Sequence, residues 1–171
     1  IEMPTKVGEY FEAGEKLGLF GYNYIQGEDI MAPDFMYNVA LEHTGERKWN
    51  TEKRYYWSPN TFKWKRFYAY YPYSSTNSAN AQTAVTGNLP QEQTWDATSP
   101  KLAGDFKIGT YKSRSWTSTT FTFSNVMTYV KMAVDATGTV LEGDKLQSVT
   151  MTASNSRQLW GAFQANLTKA A

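Results

Sequence analysis

Apolar and aromatic side chains recur at every second position along much of the chain, and this spacing restricts the possible fold more than any other feature. The clearest example is residues 64–71 (WKRFYAYY), in which Phe67, Ala69 and Tyr71 would share one face and the two intervening tyrosines the other. A period of two is typical of β-strands, whose successive side chains point to opposite faces of a sheet. Aromatic residues, which favour strands, make up 16% of the sequence. The pattern therefore predicts a protein built mainly from strands.

The same spacing predicts further strands along the rest of the chain, separated by turn-forming stretches. On the segment 35–42 it places Tyr37, Val39 and Leu41 on one face. Roughly eight to ten strands without connecting helices predict an all-β, two-sheet antiparallel β-sandwich, with a barrel as the geometric alternative. Residues 1–171 would form a single domain. The predicted strands cover residues 16–24, 35–42, 54–57, 64–71, 105–111, 117–123, 129–135, 148–153 and 158–167, with a weak strand near 83–85.

Residues 74–100 have a different composition from the predicted strands. They are rich in Ser, Thr, Asn, Ala and Gln and contain few charges. Loops longer than about 12–15 residues usually carry function or are disordered. We therefore predict a long exposed excursion between the sheets, serving either as a solvated connector or as a contact surface.

The composition gives little support to catalysis or metal binding. The chain has no cysteine, which excludes disulfides, thiolate metal sites and cysteine nucleophiles. Its single histidine, His43, lies beside Thr44 and Gly45, and we predict an exposed turn residue there, not the base that a Ser or Thr nucleophile needs. The turn around Gly143 has too few carboxylates for a dedicated calcium loop. We predict no enzymatic activity, no catalytic residues, no cofactor and no metal site.

Charge and hydropathy restrict the possible partners. The formal net charge of +1 gives no reason to expect binding to nucleic acid. No apolar run approaches the roughly 18 residues that would predict a transmembrane helix.

A dense group of aromatic residues between positions 55 and 73 has two interpretations. Exposed Trp and Tyr faces can stack on flat apolar surfaces such as sugar rings. Trp57 and Trp64 are then the candidate ligand-stacking residues of a carbohydrate-binding module. The alternative interpretation is that these rings fill the core and its interfaces.

Two stretches of the chain resemble the fimbrillin-like proteins of Bacteroidetes. The first begins with FEAGEKLGLF at residues 11–20 and continues through YWSP to FYAYYPY at residues 67–73. The second runs from FTFSNV at residues 121–126 to LQSV. The AYYP segment is the most distinctive part. Glu15 replaces the usual Asp of this pattern, and Asn125 stands where His is common.

The resemblance implies a structural protein with a transthyretin-like β-sandwich. It would be a type V pilus (fimbrium) subunit, anchor or tip adhesin on the bacterial cell surface and outer membrane. It would derive from a lipoprotein precursor and assemble with other pilus subunits by strand exchange. Cell adhesion through a host or bacterial surface glycan would be a further role. Because family members usually have two sandwich domains, we expect residues 1–171 to be the N-terminal domain, without the second.

Overall fold

The chain forms eight β-strands and two short 3-10 helices in the part that the computed structural model describes. The described residues are 11–24, 35–46, 48–55, 64–93, 104–113, 120–128, 130, 134–145, 147–154 and 157–169. The strands are β1 (Lys16–Tyr24), β2 (Met36–Gly45), β3 (Lys48–Thr51), β4 (Trp64–Tyr71), β5 (Val85–Leu89), β6 (Lys107–Ser113), β7 (Thr122–Asn125) and β8 (Gly161–Ala165). The 3-10 helices are Ala81–Thr83 and Leu167–Lys169.

The strands form two antiparallel sheets. The large sheet has six strands in the order β3-β2-β1-β4-β6-β7, and the small sheet pairs β5 with β8. β1 and β4 lie at the centre of the large sheet and pair without interruption from Gly18 opposite Tyr70 to Tyr24 opposite Trp64. This arrangement confirms the prediction of an all-β fold with two antiparallel sheets.

Both faces of the large sheet are buried, as the alternation on β4 shows. Tyr68 and Tyr70 belong to one apolar cluster, whereas Phe67 and Ala69 belong to another on the opposite face. Side chains of the small sheet and of the last 3-10 helix cover the first cluster. The aromatic residues of β4 therefore fill the core. The first cluster contains Phe20, Tyr22, Tyr68, Tyr70, Ala81, Val85, Phe106 and Leu167, and the second contains Leu17, Leu19, Met36, Phe67 and Ala69.

A bulge in β2 alters the face that the sequence pattern predicted there. Asn38 has a left-handed backbone with φ of 47°, and the register between β1 and β2 shifts at this level. As a result Met36 packs on the second cluster together with Val39 and Leu41, while Tyr37 is 49% exposed. The prediction that Tyr37 shares their face was wrong, because an inserted residue reverses the alternation on one side of the bulge.

The Tyr70 hydroxyl lies at the centre of a polar network that the bulge makes possible. It contacts Asn38 Oδ1 at 2.7 Å, and Asn77 Nδ2 donates to it at 3.1 Å. The Ser74 backbone N–H also donates to it at 3.2 Å. The Asn77 side-chain oxygen in turn accepts the backbone N–H of Thr86 at 2.9 Å. One hydroxyl therefore connects β4, the bulge of β2 and the start of β5.

The segment that follows β4 is anchored in the core by several buried residues and is not a wholly exposed excursion. Asn77, Gln82 and Val85 are buried, and the segment contains the first 3-10 helix and β5. The prediction of an exposed excursion over residues 74–100 was therefore wrong at these buried positions, while residues such as 78–80 and 91–93 are exposed and 94–100 lie outside the described residues. Small polar residues can be buried when their hydrogen bonds are satisfied, as those of Asn77 are.

Several predicted strands differ from the observed ones in extent. The predictions for β1 and β4 are confirmed at both ends, and those for β2, β5, β6, β7 and β8 overlap the observed strands. β3 was not predicted, and of the segment 54–57 the described residues 54 and 55 are not in a strand. The described residues of 129–135 and all of 148–153 also lie outside strands. The side chains of Val149 and Met151 are exposed there. An alternating segment becomes a strand only where a neighbouring strand supplies hydrogen bonds to its backbone.

Candidate functional site

The small sheet is amphipathic and covers one face of the large sheet. Its inward residues include Val85 and Phe163, and the Phe163 ring meets that of Phe106 edge-on at 5.0 Å between centroids. Outward-facing positions are exposed and polar or small: Thr86, Asn88, Ala162 and Gln164. This alternation fixes which face of the small sheet meets the core.

The backbone of the small sheet can be oriented from one hydrogen bond. The N–H of Thr86 donates to Asn77 Oδ1, so it points away from β8. Opposed residues of an antiparallel pair alternate between pairs that exchange hydrogen bonds and pairs that point outward. Thr86 lies opposite Gln164, and Asn88 lies opposite Ala162. The N–H and C=O groups of these four residues therefore point away from the β5–β8 ladder.

The two outer sides of the small sheet differ. On the β5 side, Asn77 accepts both the N–H and the hydroxyl of Thr86, each at 2.9 Å. On the β8 side, no strand among the described residues pairs with Ala162 or Gln164. The residues just before β8, Leu159 and Trp160, are 39% and 47% exposed. We use the name β8 edge for the outward backbone groups of Ala162 and Gln164 together with the side chains of Leu159 and Trp160.

The edges of the large sheet are less suited to accept another strand. β3 begins with Lys48, whose ammonium pairs with Glu46 at 3.0 Å on the surface. Charged side chains on an edge strand disfavour pairing with a further strand. At the other end, β7 is only four residues long, and a very short edge strand also disfavours pairing with a further strand. The β8 edge combines outward backbone groups with exposed apolar side chains directly before the strand.

Of the two predicted ligand-stacking residues, the structure describes Trp64. Trp57 lies outside the described residues. Trp64 begins β4 and is partly buried, and Lys112 Nζ lies 4.9 Å from the centroid of its ring, within cation–π range. One face of the Trp64 indole is therefore already in contact with an ammonium group. A role for Trp57 and Trp64 in stacking on a sugar stays a prediction.

The histidine lies in a strand and not in a turn. β2 continues to Gly45, and His43 is 8% exposed, with its ring 4.8 Å from that of Trp49 on β3. Its backbone N–H donates to Glu15 O at 2.8 Å. The prediction of an exposed turn residue was wrong, because β3 and the segment before β1 cover this position.

Neither a metal centre nor a membrane helix emerges from the described segments. They contain no group of three or more His, Cys, Asp or Glu side chains placed to hold a metal ion. Within the same segments, no helix has the length and apolar character required to cross a membrane.

A protein-family model described as fimbrillin-like matches residues 5–165 of the chain. The chain belongs to the fimbrillin-like family. The match confirms the resemblance, and it gives the protein a structural function of the pilus-subunit type and a fimbrial location at the cell surface. The family is structural and not enzymatic. Searches of curated proteins and of solved structures found no match.

The AYYP segment of this fimbrillin-like protein anchors both faces of the large sheet. Tyr70 forms the polar network on one face. On the other face, the Tyr71 hydroxyl donates to Glu15 Oε1 at 2.6 Å, and its ring meets that of Phe11 at 5.1 Å. The segment before β1 is thereby fastened to β4. Glu15 thus has a packing role at the position where the family pattern usually has Asp.

Stability of the fimbrillin-like fold should fall at alkaline pH through Tyr71. Burial raises the pKa of Tyr71 above its ordinary value of 10.0, and the hydrogen bond to Glu15 raises it further. The neutral hydroxyl is therefore favoured in the folded state. Its contribution is fully present below about pH 10 and is lost as the pH rises toward the folded-state pKa. Urea unfolding between pH 8 and 12 should show a falling midpoint, with a shallower fall in Tyr71→Phe; equal slopes for the two proteins would contradict this account.

The β8 edge was not predicted from the sequence. The alternation over residues 158–167 predicted a strand there, and β8 confirms it. Whether a strand lies inside a sheet or at its edge depends on which other strands pair with it. The exposed pair Leu159 and Trp160 was the available signal, because two adjacent large apolar residues cannot both face the core from one strand.

Proposed function

We propose that this fimbrillin-like protein is a fimbrial subunit, an anchor or a tip adhesin of the bacterial outer membrane, derived from a lipoprotein precursor. It assembles by strand exchange, and the β8 edge receives the strand of a neighbouring subunit. One observation supports the β8 edge as the acceptor of this strand. The backbone N–H and C=O groups of Ala162 and Gln164 point outward, and no described strand pairs with them on that side. Added strands bind through main-chain hydrogen bonds, which such an edge supplies.

Side chains at the β8 edge support the same role. Leu159 and Trp160 are exposed directly before the strand, and further exposed apolar residues lie in the preceding described segment. Exposed apolar side chains commonly take part in protein–protein interfaces. An incoming strand that pairs with β8 can cover Leu159 and Trp160, which directly precede β8. The preceding exposed residues are Val130, Val134, Val140, Leu141, Val149 and Met151.

Hydrogen exchange tests the proposed edge directly. In the unassembled protein, the amides of Ala162 and Gln164 should exchange quickly, because they point away from β5. On assembly they should exchange about tenfold or more slowly, because a paired amide must open before it exchanges. The amide of Phe163, which points toward β5, should be protected in both states. Unchanged exchange at Ala162 and Gln164 in assembled fibres would refute this edge as the acceptor.

A matched pair of substitutions separates backbone pairing from side-chain effects. Gln164→Pro removes an outward N–H and leaves the ladder with β5 in place, because proline is tolerated on an edge strand where the missing donor faces outward. Gln164→Ala keeps the N–H. The proline variant should assemble about tenfold more weakly, as the loss of one main-chain hydrogen bond of up to about 1.5 kcal/mol implies. Electron microscopy and sedimentation would measure assembly, and equal assembly of the two variants would count against strand addition here.

A carbohydrate-binding function is the alternative proposal. The residues that would carry it are Trp57 and Trp64, through stacking of their indole faces on sugar rings. A glycan array with Trp57→Ala and Trp64→Ala tests it. Binding that disappears in these variants while circular dichroism shows the fold intact would support it, and an array without signal for the unaltered protein would refute it.

The expected two-domain organisation is also part of the proposal. Residues 1–171 would form one sandwich domain, with a second domain of the family beside it in the native protein. The mass of the protein isolated from cells tests this organisation, and a mass that matches only these residues would contradict it.

A further inference from the structure

Lys107 is a buried lysine in contact with both an acid and an amide. Its ammonium donates to Asp105 Oδ1 at 2.9 Å and to Asn125 Oδ1 at 2.5 Å. The Lys107 and Asp105 side chains are only 4% and 6% exposed. A buried ion pair contributes little net stability, since loss of hydration offsets the attraction. Ion pairing alone therefore gives no strong reason for this arrangement.

The sheet register holds the lysine and the amide opposite each other. Lys107 on β6 pairs directly with Asn125 on β7, and Tyr71 of β4 flanks Lys107 on the other side. The Phe11 ring lies 5.1 Å from that of Tyr71 and 5.4 Å from that of Phe123. The pairing of β6 with β7 thus places the reacting groups side by side, next to a cluster of aromatic rings.

We propose that Lys107 and Asn125 join in an intramolecular isopeptide bond, with Asp105 as the proton carrier. Asp105, whose Oδ1 lies 2.9 Å from Nζ, first takes a proton from the Lys107 ammonium. The free amine then attacks Asn125 Cγ, and the acid proton of Asp105 passes to the amide oxygen. Asp105 next takes a proton from Nζ, now bonded to Cγ, and passes it to Nδ2. The carbonyl re-forms as the hydroxyl proton returns to Asp105, the bond from Cγ to Nδ2 breaks, and ammonia leaves. The ammonia then takes the remaining proton from Asp105 and departs as ammonium.

The reaction balances without an oxidant or any further reactant. A lysine ammonium and a primary amide give a secondary amide and an ammonium ion. The geometry is close to that of attack: with Nζ 2.5 Å from Oδ1, Nζ lies within about 3.7 Å of Cγ. Reacting groups held roughly 3–3.5 Å apart in rigid surroundings gain large rate accelerations over free reactants.

The bond would have a defined mechanical role. β7 is a four-residue strand at the edge of the large sheet, and Asn125 is its last residue. A covalent link from Asn125 to β6 keeps that end of β7 from separating. The bond would lie in the large sheet and is independent of the proposed strand exchange at the β8 edge.

The intact mass of the folded, unaltered protein under denaturing conditions is the decisive measurement. The bond predicts a mass lower by one ammonia, about 17 Da. Proteolysis should give a branched peptide that joins Lys107 to Asn125. A mass equal to that of the unmodified sequence after prolonged incubation would overturn the proposal. Loss of ammonia confined to Asn125, as in a cyclic imide, or a crosslink mapped to the neighbouring pair Lys65 and Asn23, would also overturn it.

Two variants test the roles of the residues. Asp105→Ala should keep the mass of the unmodified chain, because no group then carries the proton. Lys112→Ala, which removes an exposed lysine of the same strand, should still lose ammonia. An Asp105→Ala protein that folds and forms the crosslink as fast as the unaltered protein would remove Asp105 from the mechanism.

Discussion

A Gly18→Ala variant is expected to lose about 3 kcal/mol of folding free energy, the upper part of the usual range for overpacking a core. A Cβ atom at position 18 would lie 2.1 Å from Tyr70 Cε1 and 2.4 Å from Cζ, well inside contact distance. The ring cannot move aside easily, because Tyr70 is fully buried and its hydroxyl is held by Asn38 and Asn77. Urea unfolding followed by tryptophan fluorescence would measure the loss as a lower transition midpoint.

A double-substitution cycle can show that the clash with Tyr70 is the cause. In a Tyr70→Ala background the space beside Gly18 is open. Adding Gly18→Ala to that background should therefore lower the free energy of unfolding by less than about 1 kcal/mol. The same cost in both backgrounds would show that the backbone of β1, and not the ring, requires glycine at this position. The side-chain contact would then be incidental.

Removing the Tyr70 side chain should have the largest effect of any single substitution considered. Tyr70→Ala takes away a fully buried ring that stacks near Phe20 and Phe106, and truncation of a buried aromatic residue costs about 3–5 kcal/mol. It also leaves Asn38 and Asn77 without the hydroxyl that they share. We therefore expect a loss near the upper end of this range, measured by urea unfolding.

Tyr70→Phe separates the hydroxyl from the ring. The ring remains, but the Asn38 oxygen and the Asn77 amide lose a partner inside the protein, which costs about 1–3 kcal/mol. Because Asn77 also holds the N–H of Thr86, hydrogen exchange in β5 should accelerate in this variant. A stability equal to that of the unaltered protein would show that water replaces the hydroxyl, and that the network does not tie β5 to the large sheet.

The extent to which the fold could be predicted varies with the kind of contact. β1 and β4 were predicted at both ends, because their alternation is unbroken and their turn signals are local. On β2 the same reasoning failed at Tyr37, since a bulge depends on the pairing with β1 and leaves no clear mark in the pattern. Residues 148–153 alternate as well as β8 does, yet they form no strand.

The candidate sites were less accessible to prediction than the fold. The sequence drew attention to Trp57 and Trp64 by residue type alone. It did not lead to the β8 edge, because the adjacent pair Leu159 and Trp160 was a weak signal and the character of an edge depends on which backbone groups lie unpaired. Nor did it show that Lys107 and Asn125, far apart in the chain, lie opposite each other.

The sequence by itself determined that this protein is made of strands, that residues 1–171 contain no cysteine and that they resemble the fimbrillin-like family. These properties depend on composition and on spacing between near neighbours. Only the tertiary structure decided which alternating segments become strands, which edge stays open and which polar side chains meet in the core. Hydrogen bonds between strands join residues that are distant in the chain, so their partners are settled only when the whole sheet assembles.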